Sequence, residues 1–157
     1  MDSKLTIYPF NNSIETGLRT LCILNSMFPH SYDLETLVCM DYLCVHTGDF
    51  DQGMESLHPA NPHRTGELFV RRSIIEEGLV LFISRGLITT LYLGSGIEYQ
   101  ATELSSSFLD KINSPYSIAM MERSEWLRKR FDEEDNTTIQ KYVKSITSNY
   151  AFQTLSK

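Results

Sequence analysis

The stretch EEGLVLFISRGLITTLYLGSGIEYQATEL, residues 76–104, changes its hydrophobic period once, and that change decides the fold. Before Gly86 the spacing of Leu68, Ile75, Leu79 and Phe82 suits a helix that starts near Thr65. After Gly86 the runs LITTLYL and IEYQAT are β-branched and aromatic, and Gly94-Ser95-Gly96 separates them as a hairpin turn. Gly86 reads as the C-terminal stop of the helix. Along the strands Leu87, Leu91 and Leu93 alternate with Ile88, Thr90 and Tyr92, and Ile97, Tyr99 and Ala101 with Glu98 and Gln100, so one face is expected to be covered. Gly78 either costs the helix about 1 kcal/mol relative to alanine or splits it into two shorter helices.

Upstream, IETGLRTLCILNSMF carries Ile14, Leu18, Leu21, Cys22 and Phe28 near one helical face, with Asn12 as its cap and Pro29 as its stop. Asp33 then caps DLETLVCMDYLCVHT, apolar nearly all round from Leu37 to Val45 with Asp41 as the lone charge, which is the pattern of a helix buried on most sides. Gly48 opens a connection of about 17 residues, against the usual 4 to 6, so a functional or docking role is expected of it. Downstream, Thr102 is expected to cap a helix through Leu104, Phe108, Leu109 and Ile112. A further helix begins at Tyr116 and carries Met120, Leu127 and Phe131. The last opens with a Thr137-x-x-Gln140 capping box and the stripe Ile139, Tyr142, Val143, Ile146 and Tyr150. The expected fold is mostly α with a small β-hairpin: a lead-in over 1–12, a core over 13–112, and a helical extension over 113–157 packed on the same domain.

A chain of 157 residues with 41% hydrophobic and 22% charged side chains has the composition of one globular unit. No run reaches the roughly 18 apolar residues of a membrane span, and the start MDSKLTIYPFNN is no secretion signal, so a cytoplasmic protein is expected. Cys22, Cys39 and Cys44 lie in apolar stretches without C-x-x-C spacing and read as small core residues. Residues 1–63 hold 2 basic and 8 acidic side chains and residues 64–157 hold 12 of each, so all of the net charge of −6 sits in the first part. No region has the strongly basic balance of non-specific nucleic-acid binding.

The stretch SLHPANPHRTGEL, residues 56–68, has the residue types of a chemical site. His46, Asp49, His58 and His63 fall within 18 positions, but Pro59 and Pro62 favour extended backbone, which would set His58 and His63 near 15 Å apart at about 3.1 Å per residue. Hydrogen bonding of the histidines to nearby backbone is the expectation, with no metal and no cofactor. No catalytic group is assigned either: Cys39 and Cys44 fall in a helix expected to be buried, where a thiol stays inert, and no phosphate-cradling G-x-x-x-x-G-K is present. A stiff loop ending in an exposed Arg64 suits protein docking, because little ordering entropy is lost on contact. RSEWLRKRFDEED, with the single tryptophan Trp126, is a second candidate surface, against a reading in which Trp126 packs inward.

The hairpin after a helix also resembles the winged helix-turn-helix superfamily, in the Gly-Leu-Ile entry to the first strand and the Tyr-x-x-Thr-Glu exit from the second. That resemblance implies DNA binding as an alternative, through Arg71, Arg72 and Arg85, with a DNA-binding transcriptional regulator as the function. Against it stand Glu67, Glu76 and Glu77 within the same segment, which suit ion pairs such as Glu67 to Arg71 and Arg72 to Glu76.

Taken together, GLRTLCIL, LVCMDYLCVHTGDF, SLHPANPHRTGELFVRRSIIEEGLVLFISRGLI and EYQATEL resemble the small middle component of bacterial three-component ABC-ATPase systems, a group that includes accessory subunits of the Lamassu type of anti-phage defence. The resemblance runs from about Glu15 to Glu134. It implies a non-enzymatic adaptor that sits with an SMC-like or Rad50-like ABC ATPase and an effector, often a nuclease. The residues expected to meet a partner are His58, Arg64, Glu67, Arg71, Arg72 and Trp126.

Overall fold

The computed structural model describes residues 12–50, 54–58 and 64–155. Among them the chain forms α1 (Ser13–Ser26), α2 (Leu34–Val45), a 3-10 turn at Thr47–Asp49, α3 (Arg64–Ser84), the strands β1 (Ile88–Leu93) and β2 (Gly96–Ala101), α4 (Leu104–Asp110), α5 (Pro115–Phe131) and α6 (Asn136–Leu155). The order is mostly helical with a two-stranded antiparallel sheet, as the period change at Gly86 predicts.

The helix starts follow from side chains that accept the first free N–H groups. Asn12 Oδ1 accepts from Glu15 N at 2.7 Å, and Asp33 Oδ1 from Thr36 N at 2.8 Å. As expected, the Thr102 hydroxyl caps α4, accepting from Leu104 N at 3.3 Å; it also donates to the carbonyl of Gly86 at 2.7 Å and so locks the base of the hairpin. One expected cap is corrected. The Thr137–Gln140 box does not form. Asp135 Oδ1 accepts from Thr138 N at 2.8 Å, which frees Gln140 to donate to Asp33 Oδ1 and Thr36 Oγ1 across the interface with α2.

Every residue of α2 from Thr36 to Val45 is buried. Helices α1, α3, α5 and α6 all pack on it, and its side chains Leu37, Met40, Tyr42 and Leu43 are inaccessible to solvent. Ile75, Leu79 and Phe82 of α3 and Ile139 and Val143 of α6 complete the core, together with the three cysteines. Burial pushes the Cys39 thiol up to about 11 and Cys22 to about 12, so both stay protonated.

The hairpin pairs Ile88 with Ala101 and Leu93 with Gly96, and a bridge of two backbone hydrogen bonds joins Tyr99 to Tyr32. Coverage is graded along its length rather than by face: Ile88 and Ala101 at the base are buried, while Tyr92, Leu93 and Ile97 at the tip are exposed. At the tip the neighbouring Tyr92 and Leu93, on opposite faces, are both exposed, so the expectation of one covered face is corrected there.

Helix α3 runs through Gly78 without a break, which settles the choice between one helix and two. A Cβ on Gly78 would lie 2.7 Å from the Cα of Gly17 and 2.9 Å from its nitrogen. One on Gly17 would lie 2.6 Å from the Phe82 ring. The backbones of α1 and α3 therefore meet here with no room for a methyl group. Gly78→Ala, which would stabilise an exposed helix, is expected to destabilise this one by about 2 kcal/mol or more, because rigid backbone on α1 must move. The urea unfolding midpoint of the variant measures it, and an unchanged or raised midpoint refutes the close crossing.

Candidate functional site

The polar groups that a sequence reader would take for chemistry meet in the interior, around Asp41 of α2. Its carboxylate is fully buried and accepts two hydrogen bonds from Arg19 of α1, from Nε at 2.9 Å and Nη2 at 3.1 Å. Arg71 of α3 donates to Asp41 Oδ2 through Nη1 and to Glu67 Oε2 through Nη2. His46, at the C-terminal cap of α2, shares Glu67 Oε2 at 2.7 Å. On the far side Arg19 reaches Thr16 Oγ1 at 3.2 Å and the Tyr116 hydroxyl at 3.4 Å, and that hydroxyl also bonds His58 Nε2 at 3.0 Å. The chain of contacts thus runs from His46 through Glu67, Arg71, Asp41 and Arg19 to Tyr116 and His58, joining α1, α2, α3, α5 and the segment 54–58.

Local backbone bonds bring that segment in. Leu57 N and His58 N both donate to the carbonyl of Val45, at 2.9 and 3.0 Å, and Arg123 of α5 donates to the carbonyl of Glu55. His58 is turned inward as a result, stacked on Tyr116 with ring centroids 6.4 Å apart and edge-on to His46 at 6.2 Å.

Electrostatics follow the geometry. Burial alone would raise the Asp41 carboxyl, but the charges and hydrogen bonds of Arg19 and Arg71 outweigh it and hold Asp41 down to about 2. Burial would likewise lower Arg19, and Asp41 raises it instead. Glu67 is lowered against its own burial by the His46 hydrogen bond and by Arg71. His58 is pushed down to about 3, by burial first and then by the charges of Arg19 and Arg71, so the ring is neutral at neutral pH.

Of the residues expected on a docking surface, His58 and Arg71 are buried and Glu67 is half-buried, all three within this network. The Arg71 guanidinium is committed there to two carboxylates rather than held out at the surface. The Glu67–Arg71 pair forms as its spacing suggests. Arg72 pairs not with Glu76 but with Glu35 of α2, and both side chains keep almost half of their surface in solvent. Arg85 is exposed. Of the three arginines of the DNA-binding alternative, Arg71 is thus withdrawn from any surface. Arg64 opens α3, but its side chain lies outside the described residues, as do Pro59, Pro62 and His63. Trp126 is half-buried and meets Phe131 edge-on at 6.4 Å, which favours the inward packing of the two readings.

Asp41 and Arg19 are the centre that the sequence reading left unassigned. The signal was present in Asp41, the single charge in the apolar run from Leu37 to Val45, since a lone buried charge requires an opposite one. Chemically the arrangement neutralises itself. Two carboxylates face two guanidiniums, and among the described residues no group of three or more His, Cys, Asp or Glu side chains is placed to hold a metal ion.

Asp41→Asn leaves two buried guanidiniums facing a neutral amide, and a loss of about 3–5 kcal/mol in unfolding free energy is expected in chemical denaturation. The pH dependence divides between two groups. The folded His58 lies below its free value of 6.5, so its stabilisation is complete above pH 6.5 and is lost as pH falls, at up to about 1.4 kcal/mol per unit. Asp41, held below its free value of 3.8, adds a second loss as pH falls from there towards 2. His58→Gln is expected to flatten the first limb and leave the second. Denaturation midpoints measured from pH 7 down to 3 in both proteins check this, and parallel curves above pH 4 refute the assignment to His58.

Among known proteins, no curated protein and no solved structure was found to match the chain. The model of the family described as ABC-three component (ABC-3C) system Middle Component 2 matches residues 9–153, a span that takes in the Asp41 network, the Gly17–Gly78 crossing and the hairpin. The match covers nearly the whole sequence, and the chain belongs to the Middle Component 2 family of ABC-three-component systems.

Proposed function

We propose that this chain is a non-enzymatic adaptor that binds an SMC-like or Rad50-like ABC ATPase and couples it to an effector nuclease in defence against phage or plasmids. Family membership carries the reading, since a middle component belongs to a system with other subunits. The interior supports it. The buried side chains with chemical potential are spent on one another in a self-neutralising cluster, and the surface keeps large apolar side chains exposed, such as Val70 and Val80 on α3 and Tyr92 on the hairpin. Apolar and aromatic groups of that kind anchor protein contacts. Among the described residues no helix is long and apolar enough to cross a membrane, which suits a partner met in solution.

The hairpin that follows α3 is read as a wing, in keeping with a winged-helix-like core. Its tip, Gly94-Ser95-Gly96, has no Lys or Arg for a phosphate backbone, so in this reading it meets protein and DNA contact is left to the ATPase. Arg72, with almost half of its side chain in solvent, and Arg64, at the start of α3, remain the residues assigned to the partner.

Co-expression with the products of the neighbouring genes is the test. The chain is expected to co-elute with an ABC-type ATPase at moderate salt, and Arg72→Ala to weaken that association with at most a small change in melting temperature, since its pair with Glu35 is open to solvent. Elution of the wild-type chain alone refutes the adaptor role.

A further inference from the structure

We infer that the outer edge of β1 is a self-association surface, on which a second copy of this chain adds its own β1 antiparallel about a two-fold axis. The backbone register supplies the first reason. Tyr99 spends its N–H and C=O on Tyr32, outside the hairpin, at 2.8 and 3.0 Å. Thr90 stands directly opposite Tyr99, so its own N–H and C=O point away from β2, and by the two-residue period of a strand those of Tyr92 do the same. Among the described residues no backbone group bonds to Thr90 or Tyr92 from that side.

The second reason is charge. Edge strands are ordinarily guarded against pairing by lysine, proline, a bulge or brevity. The strand ITTLYL has six residues, no charge, no proline and an unbroken register with β2. The chain as a whole carries −6, so two copies repel in most orientations. A contact along an uncharged strand sets no like charges opposite one another, and charge selects this edge for a neutral occupant like itself.

The third reason is self-complementarity. With the axis through Leu91, Thr90 of one copy faces Tyr92 of the other and the reverse. The four outward N–H and C=O groups of each copy are then satisfied by the same four of its mate, in an isologous contact. The apolar tip side chains Tyr92, Leu93 and Ile97, from 45% to 81% exposed, lie beside that seam. The hairpins would merge into a four-stranded sheet in the order β2-β1-β1-β2. A seam of this length is smaller than a permanent interface, so the dimer is reversible and dependent on concentration.

Sedimentation equilibrium of the purified full-length chain tests this across the micromolar range. The wild type is expected to pass from monomer to dimer as concentration rises. Thr90→Pro removes an N–H that the β1–β2 ladder does not use, and Tyr92→Lys places a charge on the seam. Each is expected to weaken self-association at least about tenfold while leaving the circular dichroism spectrum unchanged. Should Thr90→Pro fail to fold, Tyr92→Lys decides alone. A wild type that stays monomeric at the highest concentration overturns the inference, and so does a dimer that survives Tyr92→Lys. Neither outcome touches the adaptor reading, which rests on co-elution with other subunits.

Discussion

The carboxylate of Asp41, held between two guanidiniums in the middle of the most buried helix, is the constraint around which the rest of the structure is arranged. A charge with no exposure to water is tolerable only where opposite charge and hydrogen bonds replace hydration, and here they come from two other helices. Arg19 approaches from α1 with two donors and Arg71 from α3, while Glu67 accepts from Nη2 of Arg71 and is itself bonded to His46. Such a cluster adds little net stability over an apolar core of the same volume. What it supplies is register: a slide of α1 or α3 by one turn, about 5.4 Å, would take one of the two guanidiniums from the buried carboxylate.

The crossing of α1 and α3 makes that geometry accessible. Gly17 and Gly78 let the two backbones touch, and the contact fixes the distance that a guanidinium from each helix must span to reach a shared carboxylate. A larger residue at either position would spread the helices. A glycine that costs a helix about 1 kcal/mol in isolation is therefore consistent with the fold, because the packing it permits outweighs its entropy. Phe82, lying against Gly17 and edge-on to Phe108, carries the same contact on towards α4.

Much of this architecture is legible in the chain itself. Period changes and caps locate the helices and the hairpin, since amphipathic spacing and the side chains of Asn12 and Asp33 are local facts. The burial of α2 is equally plain in its unbroken apolar run. The failures are all non-local. Gln140 has the right spacing for a capping box and bonds α2 instead, because tertiary partners outcompete a local reciprocal cap. Arg72 has Glu76 one turn away and pairs with Glu35 of another helix. His58 stands in a stretch rich in proline and polar residues, and two backbone bonds to Val45 turn it inward. The site was half visible: the lone charge Asp41 announces burial, but no spacing rule says that Arg19 and Arg71, on two other helices, complete it.

Where the charge has gone determines what the surface has left to work with. The arginine that would make α3 a nucleic-acid reader is turned inward on carboxylates, and Arg72 is half neutralised by Glu35. On the outer face of α3, Val70, Ser73, Glu77 and Val80 follow one another at helical spacing, all exposed, with two apolar groups framing one acid. A helix that offers valines and a glutamate to solvent attracts protein surface more readily than phosphate. The same holds for the hairpin, whose base is locked to the body by Thr102 and Tyr32 while its uncharged tip projects. Rigidity at the base matters as much as chemistry at the tip, because a strand already held in its paired conformation loses little entropy when another chain meets it. The interior is thus spent on register, while ordered apolar groups stay exposed on α3 and at the hairpin tip.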